Sequence, residues 1–121
     1  MRHLRKGRKL GRERNQRKAL FKTLLGSLIM REKIETTEAK AKEAKSKIDR
    51  IINRAKKSRT GSDRSLVFRE IKKILPEKAS EKLMGDFLDK FSKRNSGYAR
   101  IIKLNPRKSD GARKAIIEFV D

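Results

Sequence analysis

The first eighteen residues, Met1 to Lys18, carry nine Lys or Arg against one Glu and offer almost nothing apolar to bury. Such a segment cannot offset the conformational entropy of folding on its own. At +8 its charges repel one another until a polyanion neutralises them. The core must therefore come from the residues that follow. Leu, Ile, Val and Phe number 29 of 121, above the roughly 20% below which highly charged chains stay disordered. That suffices for one small domain. The whole chain reaches +21 with a pI near 10.9, so its folded surface is predominantly positive. Nucleic acid is the partner this balance implies.

Composition also removes chemistries. No cysteine means no disulfide, thiolate nucleophile or thiolate metal site, and favours a reducing compartment. The single histidine, His3, leaves no pair for zinc and no triad. The basic start followed by Ala19 to Met30 imitates a secretory signal, but Lys22 interrupts the apolar run and no small-residue cleavage site follows. The run is also short of the ~20 apolar residues a bilayer requires. The expectation is a soluble intracellular protein without cofactors.

Apolar residues set the elements. Leu20, Phe21, Leu24, Leu25, Leu28 and Ile29 recur at helical spacing and predict a first helix. Arg17, Lys18 and Lys22 sit at its start or on its far face. Lys33 to Thr36 alternates as a short strand, and Thr36 or Thr37 can cap the next helix. That helix turns Ala41, Ala44, Ile48, Ile51, Ile52 and Ala55 inward and its many cations outward. Glu38 with Lys42, and Glu43 with Lys47, have the favourable i,i+4 order.

Ser58 to Ser62 reads as a polar break, after which Ser62 or Asp63 caps a third helix with Val67, Ile71, Ile74 and Leu75 inward. Pro76 ends it. A fourth helix carries Ala79, Leu83, Met84, Phe87, Leu88 and Phe91 on one stripe and stops at Asn95 to Gly97. Tyr98 to Leu104 and Arg113 to Val120 then read as two strands joined by a basic turn, Asn105 to Gly111. Because a lone hairpin is marginal in water, the short strand at Lys33 to Thr36 is expected to join it. The predicted fold class is α+β, with about four helices packed on a small three-stranded sheet closed by the C-terminal β-hairpin. Residues 1–15 are expected to form an extended basic arm that meets nucleic acid, and residues 16–121 a single globular domain.

Catalysis has little support. The nearest carboxylate pairs are Asp86 with Asp89 and Asp63 with Asp110. Solvated charge on a Lys-rich helix, a cap and a turn account for them more simply, and no phosphate-binding glycine loop is present. The basic arm could act as an address signal, but residues 31–59 still hold 11 cations against 5 anions. Direct phosphate contact is the better account. Tyr98, the only tyrosine, either stacks on a base or packs with its hydroxyl satisfied. Zinc-finger spacings and a basic leucine zipper are absent from the sequence, and residues 60–97 are too weakly basic for a recognition helix.

Several blocks together carry a family resemblance. Met1-Arg2-His3 with Gly7-Arg8-Lys9-Leu10, Arg17 to Phe21, Arg31 to Glu43, Gly97 to Leu104 with Pro106-Arg107, and Ala115 to Glu118 occur in this order. In these blocks the chain resembles the bacterial large-subunit ribosomal protein 17 family over essentially its full length. Gln16 stands where that family usually has His, and Ser96 and Asn105 where it often has Gly. The resemblance implies a non-enzymatic structural constituent of the large ribosomal subunit in the cytoplasm, near the exit side of the peptide tunnel. Its partners would be ribosomal RNA and neighbouring large-subunit proteins, in support of assembly and translation. Arg2, Arg5, Lys6, Arg8, Lys9, Arg12 and Arg14 are then expected on phosphates and sugars, with Arg17 and Lys18 continuing the track and Lys40, Arg107 and Lys108 as outlying contacts. RNA shape, more than base edges, would set recognition. The alternative is a histone-like architectural DNA-binding protein of the nucleoid, with the Asn105 to Gly111 turn imitating a minor-groove arm. A toxin-type RNA-cleaving enzyme rests only on scattered acidic residues.

Overall fold

Glu13 and Gln16 start the first helix. Gln16 Oε1 accepts from the Glu13 backbone N–H at 3.2 Å, one half of a reciprocal capping box. Helix α1 then runs Arg14–Arg31 in a computed structural model that describes residues 8–60 and 64–120. The expected extension of residues 1–15 therefore ends inside a helical turn. Glu32, at φ +65°, closes α1 in the left-handed conformation, and its carboxylate is held there by Lys82 and Lys90. Hydrogen bonding from Lys90 keeps that carboxyl below its ordinary range.

Strand β1 (Lys33–Thr37) leads directly into helix α2 (Glu38–Thr60), where Thr37 Oγ1 accepts from the Lys40 backbone N–H as the cap. The six inward residues predicted for α2 are all buried. The break expected over Ser58 to Ser62 does not begin at Ser58, because α2 continues through it to Thr60; Gly61 and Ser62 lie outside the described residues. Ser58 is buried and its hydroxyl donates to the Ala55 carbonyl at 2.6 Å, so its polar group is satisfied within the helix. The caps proposed at Ser62 and Asp63 lie outside the described residues.

Helix α3 (Arg64–Ile74) buries Val67 and Ile71. Ile74, expected inward with them, is 46% exposed. It shares the azimuth of Val67 but stands at the end of the last turn, where it lines an open groove. The single fourth helix is in fact two pieces: helix α4 (Glu77–Met84) and a 3-10 helix, α5 (Asp86–Phe91), separated at Gly85. Glycine's poor helix propensity accounts for the interruption. The predicted apolar stripe is nonetheless buried throughout.

Strand β2 (Ala99–Lys103) and strand β3 (Lys114–Phe119) form the hairpin, and β1 adds to the far side of β3. The order β1-β3-β2 is antiparallel throughout. Ala99, Ala115 and Ile117 face the helices and are buried, while Arg100, Ile102, Glu118 and Lys33 face outward. On that outer face Glu118 lies in register between Arg100 (2.7 Å) and Lys33 (3.8 Å). The Arg100 guanidinium holds the Glu118 carboxyl below its ordinary value.

Helix α1 crosses the α3–α4 junction at Gly26. A Cβ there would lie 2.7 Å from Cγ and Cδ of Pro76, and the ring cannot swing aside as a flexible chain end would. Gly26→Ala is therefore expected to cost about 1–3 kcal/mol through overpacking, against ~1 kcal/mol gained in helix propensity. A lowered urea midpoint at unchanged slope is the predicted observation. A raised midpoint would show that the two helices separate freely.

Candidate nucleic-acid interface

Two helical stripes converge on one groove. On α1, Arg14, Arg17, Lys18, Phe21, Lys22 and Leu25 follow at intervals of three and four. On α2, Glu43, Lys47, Arg50 and Ile51 do the same. Arg8 and Lys9 of the arm and Lys73 and Ile74 at the end of α3 complete the walls. The groove encloses about 740 Å³. Nine of its lining residues are cations and one, Glu43, is a carboxylate. Its apolar lining is Phe21, Leu25, Ile51 and Ile74, of which only Ile74 is substantially exposed.

The arm is folded onto this groove by local geometry. Leu10 (φ +54°) and Gly11 (φ +64°) are both left-handed, and the Arg12 N–H donates to the Lys9 carbonyl at 3.1 Å. Arg12 Nη1 donates to the Leu10 carbonyl at 2.8 Å and Arg17 Nη1 to the Arg12 carbonyl at 2.9 Å. Arg8 Nη1 then reaches Glu43 at 3.0 Å. The helical pair expected between Glu43 and Lys47 is thereby replaced: Lys47 sits over the Phe21 ring, 4.9 Å from its centre.

Elsewhere among the described residues eleven cations meet carboxylates. Lys42 and Lys103 face Glu38, Arg54 faces Glu70, Arg59 faces Asp89 and Lys114 faces Glu35. Glu38 is held below its ordinary carboxylate value, chiefly by hydrogen bonding from Lys42. In the groove Arg8 alone has such a partner among the described residues. Eight cations lie together with their charge uncompensated by a bonded carboxylate, an arrangement that raises the local concentration of a polyanion.

Of the residues expected on RNA, Arg8, Lys9, Arg14, Arg17 and Lys18 line this groove. Arg12 holds the bend beside it, while Arg2, Arg5 and Lys6 lie outside the described residues. Lys40 is half-buried on the first turn of α2, away from the groove lining. Arg107 bonds Asp110 at 2.8 and 3.1 Å, and Lys108 is exposed at the hairpin tip. Asp110 also accepts from the Ala112 N–H, which lowers its pKa first, with Arg107 adding to the effect. The expectation missed Lys22, Lys47, Arg50 and Lys73. The first three were visible as cations at helical intervals beside Phe21, Leu25 and Ile51.

Tyr98 takes the packed alternative. It is fully buried, its hydroxyl donates to Asn53, and its backbone N–H donates to Asp49 at 3.1 Å. Among the described residues, no three His, Cys, Asp or Glu side chains cluster to hold a metal ion, and no helix is long and apolar enough to cross a membrane.

The family described as ribosomal protein L17 matches residues 20–120. The chain belongs to that family. A relative from Thermodesulfovibrio yellowstonii, named large ribosomal subunit protein bL17, is 47% identical over 122 aligned positions, which cover 100% of this chain and 88% of the relative. The protein of the same name from Staphylococcus haemolyticus is 42% identical over 120, covering 94% and 98%. That from Chlorobium phaeobacteroides is 43% identical over 121, covering 100% and 70%. Membership makes this chain a structural protein of the ribosome and not an enzyme. Gln16, where the family resemblance leads one to expect His, has a role of its own here as the capping partner of Glu13.

Proposed function

We propose that the chain binds ribosomal RNA of the large subunit through the α1–α2 groove and the basic arm that enters it, supporting particle assembly and translation in the cytoplasm. The observation that carries this reading is the segregation of charge: nine cations and one carboxylate line a groove that the arm continues. In this reading residues 1–15 are an RNA-binding extension, and residues 16–121 the domain that fixes its direction. Phosphate contacts anchor and position, as cations on a shape-read RNA do. Neighbouring large-subunit proteins would meet surfaces such as the outer sheet face, where Arg100, Lys33 and Lys114 are already matched by Glu118 and Glu35 and offer little to phosphate.

Sedimentation through rising salt tests the proposal. The full chain is expected to stay with large subunits through a high-salt wash. Removing residues 1–12, which leaves the Glu13 cap in place, is expected to preserve the circular dichroism of the fold and release the protein at modest salt. Non-specific attraction alone, with about 6–10 phosphate contacts, would weaken by ~10³–10⁵ between 50 and 200 mM salt. Sedimentation of the full chain with DNA, or full retention of the truncated one, overturns the assignment.

A further inference from the structure

We infer that the groove seats an unpaired nucleotide of the RNA, a base splayed out of its helix, rather than duplex backbone alone. This rests on the RNA-binding reading above and specifies the element bound. The apolar lining is the first reason. Ile74 is 46% exposed among the cations that line the groove, backed by the buried side chains of Phe21, Leu25 and Ile51. A duplex presents phosphate and hydrated sugar edges, which gain nothing against an isoleucine. The face of a base gains by covering it.

Shape and donor chemistry agree. At about 740 Å³ the groove falls within the ~300–1,000 Å³ of concave small-ligand sites, whereas the convex backbone of a duplex rides on a rim. Lys47 already occupies one side of the Phe21 ring, so the planar partners for a base are the guanidinium groups of Arg14 and Arg50. Both are exposed, and neither is bonded to a carboxylate among the described residues. Unpaired RNA bases stack on such planes. Glu43 is the third reason. Its Oε1 already accepts from Arg8, and its second oxygen, which repels phosphate, can accept a hydrogen bond from the N–H groups of a base or a ribose 2′-hydroxyl. One acceptor among nine cations suits a ligand that carries donors as well as negative charge.

The test uses the full chain and two RNA hairpins identical except for one bulged nucleotide. With methyl groups labelled, the bulged hairpin is expected to bind about tenfold tighter, at the low end for one stacked base, and to shift the Ile74 and Ile51 methyl resonances. The fully paired hairpin should leave those resonances in place. Ile74→Ser, at an exposed position, should erase the preference for the bulged hairpin without moving the salt dependence, since it removes no charge. Arg50→Lys, which keeps the charge and removes the plane, should cut the preference severalfold at unchanged salt dependence. Equal binding of the two hairpins with equal methyl shifts overturns the nucleotide seat while leaving RNA binding standing. Binding of neither overturns both. A glutamate-rich peptide that shifts Ile74 more than either RNA assigns the groove to protein and overturns the inference as well.

Discussion

Replacing Arg14, Lys18, Lys22, Lys47, Arg50 and Lys73 together by Gln is expected to flatten the salt dependence of RNA binding by about 4–5 in the slope of log K against log salt. Each phosphate neutralised by a cation releases condensed counterions and contributes ~0.7–0.9 to that slope. All six residues line the groove, and none is bonded to a carboxylate among the described residues. Near 0.1 M salt the same losses lower affinity by on the order of 10³-fold or more. Arg17 is left in place because its guanidinium holds the Arg12 carbonyl and with it the bend of the arm. The fold should persist, since exposed charges contribute about 0–1 kcal/mol each and these six repel one another. Isothermal titration at three salt concentrations reads the slope, and thermal unfolding reads the fold. A slope that stays at the parent value means the groove is not where phosphate is met. The six Arg54, Arg59, Lys42, Arg100, Lys103 and Lys114 form the matching control. Each faces a carboxylate, and their neutralisation should move the slope far less.

Why the sequence yields some of this and withholds the rest follows from the range of each interaction. The inward face of α2 was readable because Ala41, Ala44, Ile48, Ile52 and Ala55 keep one azimuth over several turns. The third strand was readable from an energetic argument, the marginality of a lone hairpin, and the register Ile34 with Ile117 bears it out. Ser58 misled because its polarity suggested a loop, while a single hydroxyl-to-carbonyl bond removes the penalty inside a helix. Gly85 lay unnoticed within an apolar stripe whose burial survives the change of helix type. At the site, Arg14, Arg17 and Lys18 were legible from local charge. Lys73 and Ile74 were not, because only the packing of α3 beside α1 and α2 brings them to the same groove. Pairing was equally hidden. Glu43 was read as the partner of Lys47 four residues on, and the partner it takes is Arg8, 35 residues away.

The largest loss of stability from a single residue is expected at Phe91. Its side chain is fully buried, with the rings of Phe87, Tyr98 and Phe119 at 5.4, 5.3 and 5.5 Å from its own. Phe91→Ala removes the common member of these contacts. A cost of about 3–5 kcal/mol is typical for deleting a buried aromatic ring, against a total stability for domains of about 5–15 kcal/mol. The backbone adds a second dependence. Lys56 Nζ donates to the Phe91 carbonyl at 2.9 Å and to the Arg94 carbonyl, tying α2 to the chain that leads into β2. Phe91→Leu keeps most of the apolar volume and loses the ring contacts, each worth ~0.5–1.5 kcal/mol beyond burial, so it should fall between the parent and the alanine variant. The consequence for binding separates core from groove. On α2 the residues facing the aromatic cluster, Asp49, Asn53 and Lys56, lie roughly opposite Glu43, Lys47, Arg50 and Ile51, given 3.6 residues per turn. Urea denaturation should therefore show a large drop in midpoint for Phe91→Ala, while RNA affinity, measured where the variant remains folded, stays within about twofold. A stability loss below ~1 kcal/mol would contradict the central place given to this ring.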